Sequence, residues 1–72
     1  MKQVLIEIQT ILKKNKDTSV ELHSLECPDE EKPLELLAKV NKPVPKWLSD
    51  HIKRRLKSSF KKDFIVQYEI LN

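Results

Sequence analysis

The chain has 72 residues, 39% of them hydrophobic and 35% charged, which makes a single domain (1–72) with no second core and no disordered composition. The formal net charge is +3 and there is no glycine; that excludes a P-loop, a dinucleotide-binding turn, an EF-hand loop and the GXXG clamp of a KH module, all of which need glycine backbone. Cys27 is the only cysteine, so no intrachain disulfide forms, and a free thiol suits a reducing, cytoplasmic setting.

In chain order, the first segment (2–15) is predicted as a helix that buries Val4, Leu5, Ile8, Ile11 and Leu12, leaves only Ile6 outside and finishes on Asn15. A strand with Val4, Ile6, Ile8 and Leu12 inward is the alternative. The apolar run stops at Glu7, which argues against a secretory signal. Thr18 to Glu26 reads as a strand with Val20 and Leu22 inward, followed by an acidic hairpin loop at 27–33. In 34–41, Leu34, Leu36, Ala38 and Val40 alternate as in a strand, although Leu-Glu-Leu-Leu-Ala-Lys also suits a helix; the short run between prolines favours the strand.

The clearest helix runs from about Pro45 to Phe60 or Lys61. Pro45 suits the first helical position, and Leu48, Ile52, Leu56 and Phe60 form one apolar stripe. The final strand alternates Phe64, Val66, Tyr68 and Ile70 with Ile65, Gln67, Glu69 and Leu71. The expected fold is a small two-layer α+β domain of order α-β-β-α-β (alternative β-β-β-α-β), its antiparallel-type sheet packed on the basic amphipathic helix 45–61. This order resembles that of some ribosome-associated KH-like proteins, from which the chain departs in having no GXXG.

Charge is unevenly placed. Residues 17–35 carry seven acids and one lysine; residues 36–62 carry nine bases and one acid. Along helix 45–61, Lys46, Lys53, Arg54, Lys57 and Lys61 oppose the apolar stripe, with Lys62 beyond the end and Arg55 at the stripe's edge. Clustered cations on one helix face suit phosphate contacts, and twelve lysines against two arginines would position a backbone more than read a sequence. The same face also serves simply as the solvated side of an amphipathic helix. Arg55 could reach a ligand or an acid of the 17–35 segment, or rest its stem on apolar surface. Trp47 could stack on a base; a core this small favours a Trp covering its edge.

His23, Cys27 and His51 are too few and too scattered for a zinc set, and Cys27 reads as a half-buried small residue. Ser49-Asp50-His51 has the letters of a triad, but neighbours on a helix point apart. No catalytic constellation, metal site or cofactor is visible, so the chain reads as a non-enzymatic nucleic-acid-binding protein without a membrane span. The alternative is a protein–protein inhibitor or adaptor using Ile6, Leu25, Leu37, Ile65 and Leu71 with the acidic 26–35 loop as rim. A domain of this size has only about 3–5 kcal/mol of stability, which makes a homo-oligomer a natural expectation. The lysine-rich composition suits a short accessory protein of a phage or mobile element.

Overall fold

The computed structural model describes residues 2–71. Helix α1 (Lys2–Lys14) is followed by a 3-10 turn (Lys16–Thr18), strands β1 (Leu22–Glu26) and β2 (Glu35–Val40), helix α2 (Lys46–Phe60) and strand β3 (Ile65–Ile70). The α-β-β-α-β order and the α+β class are those expected. The shortest principal extent, 20 Å, leaves room for one sheet and one layer of helices.

β2 is the central strand of a three-stranded sheet, order β1-β2-β3. Its alternation puts Leu36, Ala38 and Val40 in the core and Glu35, Leu37 and Lys39 on the other face. β1 pairs with it antiparallel through the 27–34 loop, long enough to need no glycine turn. β3 pairs with β2 parallel, Leu36 beside Val66 and Val40 beside Ile70. The sheet is therefore mixed, not antiparallel throughout. The reason is α2, which carries the chain from the end of β2 back to the start of β3, as a parallel crossover requires.

Both helices lie on one face. Val4, Ile8, Ile11 and Leu12 of α1 meet Leu48, Ile52 and Leu56 of α2 over Leu36, Val40 and Phe64, while Ile6 is exposed. The Phe60 and Phe64 rings meet edge to face, 6.0 Å apart, where α2 turns into β3.

Three boundaries differ from the sequence reading. β1 begins at Leu22, not Thr18: the Thr18 hydroxyl donates to the Asn15 carbonyl at 2.8 Å and accepts the Val20 N–H at 3.3 Å, and Ser19 turns left-handed at φ 59°. Val20 is still buried. α1 ends at Lys14, and Asn15 is not left-handed; its side-chain amide donates to the Ile11 carbonyl instead, at 2.8 Å. Pro45 caps α2 from just outside, its carbonyl accepting the Leu48 and Ser49 N–H groups at 3.0 Å.

Candidate functional site

Full burial of Leu48, Ile52 and Leu56 fixes the rotation of α2. At about 100° per residue, that rotation turns Lys46, Asp50, Lys53, Arg54, Lys57 and Lys61 outward, and all six are exposed. They form a ridge along the helix. Arg54 is steadied by its Nε donating to the Asp50 carbonyl at 3.4 Å. Lys57 pairs with Asp63 at 3.2 Å, both exposed, a contact worth little in water. Lys46, Lys53 and Lys61 have no ion pair among the described residues.

The remaining three candidates lie elsewhere. Arg55 turns towards α1, where its Nη2 donates to Glu7 Oε1 at 3.2 Å; the Ser59 hydroxyl approaches the same oxygen at 3.5 Å. It clamps the two helices and stands apart from the ridge. Its acid comes from α1, not from residues 17–35. Lys62 lies past the helix end, at the rim of an apolar cavity of about 560 Å³ with Val4, Cys27, Leu34, Phe60 and Phe64. Trp47 does not cover the core edge. It is 53% exposed and stays outside the core, because one residue before Leu48 is already a quarter-turn out of the apolar stripe.

The fold also gathers cations that no local pattern shows. The Asn41 side chain accepts the Glu21 N–H at 2.7 Å and donates to the Ser19 carbonyl at 2.9 Å. That lock ties the turn before α2 to the segment after α1, where Lys13 and Lys16 line a shallow cavity with Ser19, Val20 and Glu21. The helices and their flanking turns (2–18 and 41–64) carry twelve bases and four acids, net +8. The strands and the hairpin loop (19–40 and 65–71) carry two bases and seven acids, net −5. Even the one lysine of the sheet is neutralised: Lys39 lies 3.4 Å from Glu26 and 3.9 Å from Glu69. The chain is thus a basic helical layer on an acidic sheet.

The chain matches no known protein family, no curated protein and no solved structure.

Other chemistry is sparse. Cys27 is half-buried and its Sγ donates to the Asp29 and Lys32 carbonyls at 3.3 and 3.6 Å, closing the acidic loop. No three of His, Cys, Asp and Glu converge as metal ligands among the described residues. The Tyr68 hydroxyl is buried under α2 beside Ser49 without a well-aligned hydrogen bond. Burial pushes its pKa above the ordinary 10.0, and Ser49 opposes that shift. Ser49 faces Tyr68 while Asp50 is exposed, so the Ser-Asp-His run forms no triad. Of the five apolar residues of the adaptor reading, Leu37 and Ile65 lie on the sheet face away from the helices and Leu71 follows the end of β3, whereas Ile6 is on α1 and Leu25 packs on the core. No helix of the described residues is long and apolar enough to cross a membrane.

Proposed function

We propose that this is a small, non-enzymatic, cytoplasmic protein that holds nucleic acid by its phosphate backbone along α2. The supporting observation is the segregation of charge, with the cations of α2 on a solvated ridge and the acids withdrawn to the sheet. A polyanion gains from the first surface and is repelled by the second, so charge alone orients it. Lys46, Lys53, Arg54, Lys57 and Lys61 make the phosphate contacts. Trp47, exposed beside the first of them, offers a stacking face for an unpaired base. A ridge with one arginine among lysines reads no base edges, so binding is expected to be insensitive to sequence.

The test is charge reversal. Lys46→Glu with Lys53→Glu leaves the core untouched, since both side chains are exposed and Glu is a good helix former that the helix start also favours. The double variant is expected to lose about tenfold or more in affinity for labelled DNA or RNA at low salt while keeping its circular dichroism and melting temperature. Lys32→Glu, on the acidic loop, is expected to bind as the parent does. A folded double variant that binds like the parent overturns the proposal.

A further inference from the structure

The two edges of the sheet are built differently. β1 is interrupted by a bulge at His23 and bordered by Glu21 and Glu26, devices that stop a free edge from recruiting another strand. β3 has no bulge: Ile65-Val66-Gln67-Tyr68-Glu69-Ile70 runs six residues without proline or lysine, and its single charge, Glu69, lies 3.9 Å from Lys39 of β2. Its outer edge has no partner strand among the described residues. Ile65, Ile70 and Leu71 are 53%, 43% and 40% exposed, three of the five large hydrophobic residues so exposed among the described residues.

Backbone phase limits what can pair there. The Ile65 and Leu71 N–H groups donate inward, to the Leu34 and Val40 carbonyls at 2.8 Å. By alternation the N–H and C=O groups of Val66, Tyr68 and Ile70 point outward. A second copy approaching antiparallel must set one residue opposite itself. Centring on Glu69 sets two carboxylates face to face, and centring on Val66 sets Asp63 against Glu69. Centring on Gln67 sets Ile65 against Glu69. Centring on Tyr68 avoids every conflict. Val66 then meets Ile70, Ile65 meets Leu71 and Gln67 meets Glu69, while the outward groups of Val66, Tyr68 and Ile70 all find partners.

We propose that the protein self-associates through β3, edge to edge and antiparallel in this register, to form one continuous sheet across two copies. The two-fold axis stands normal to the sheet, so both helical layers lie on the same side. Ser49 of α2 sits over Tyr68, which places the two α2 helices on either side of the axis. This pairing does not depend on the nucleic-acid reading. A strand edge buries less than the roughly 1,200 Å² of a standard specific interface, the size of weak and transient contacts, so a dissociation constant in the micromolar range or above is expected.

Sedimentation equilibrium of the full chain, from about 1 to about 500 µM to span that constant, is expected to show a monomer–dimer equilibrium. Register is read by cross-linking in a Cys27→Ser background. Facing Gln67 and Glu69 form a non-hydrogen-bonded pair with Cα atoms about 4.5 Å apart, within disulfide reach. Mixing Q67C with E69C chains and oxidising them is expected to give the mixed disulfide dimer. Ile70→Pro removes an outward N–H while sparing the ladder to β2, and is expected to leave a folded monomer. Ile65→Lys gives the same readout through an exposed side chain that the core does not need. A parent chain monomeric throughout the range, like-with-like cross-links, or dimers persisting in folded Ile65→Lys each overturn the proposal.

Discussion

Lys61 closes α2 in a left-handed conformation, φ 58°, with its N–H donating to the Lys57 carbonyl at 2.8 Å. Glycine is the usual residue there, and a chain without glycine bears the Cβ strain instead. Lys61→Gly is expected to raise stability by about 1 kcal/mol in urea titrations, at the cost of one ridge cation. Tyr68 gives the residue scale its pH dependence. Because burial favours the neutral phenol, the folded state holds the Tyr68 proton more tightly than the unfolded chain does. That contribution is complete below the ordinary 10.0 and is lost as pH rises through the raised value. Thermal melts from pH 8 to pH 11 are expected to show Tyr68→Phe losing less stability than the parent over the alkaline part of the range. At this scale the sequence was legible only where a residue acts through its own position. Arg55 needed Glu7, 48 positions away, and no local pattern joins them.

Among the elements, α2 was the most legible, because Leu48, Ile52, Leu56 and Phe60 at four-residue spacing admit only one face inward. Rotation followed from the stripe, and the outward cations followed from rotation. The strands gave up less. A period of two assigns the faces of Glu35–Val40 and Ile65–Ile70, but it is silent on neighbour and direction, so the parallel pairing of β2 with β3 emerged only from the fold. Thr18 and Ser19 broke the expected strand through side-chain–backbone bonding and a left-handed turn, which β propensity does not register. The dependence on α2 is itself testable. Ile52 is fully buried, and Ile52→Ala is expected to cost about 2–5 kcal/mol. That is comparable with the whole stability of a domain this small, so the variant is expected to be largely unfolded at 25 °C by circular dichroism.

For the molecule as a whole, the decisive property is that its two layers differ in sign. Sequence segments already showed an acidic stretch before a basic one, but not that acids and bases would end on separate layers. That depended on Glu69 returning to the sheet beside Lys39. Together with the β3 edge, which has no partner strand among the described residues, this gives the molecule a basic helical side and an open strand margin. The direct test of the central claim is the salt dependence of binding to a short DNA duplex, followed by fluorescence anisotropy. Five phosphate contacts along α2 are expected to give a log–log slope of affinity against salt of about −4 to −4.5, falling in magnitude by about two for Lys46→Glu with Lys53→Glu. No binding at low salt, or a slope that the double variant leaves unchanged, would contradict the account.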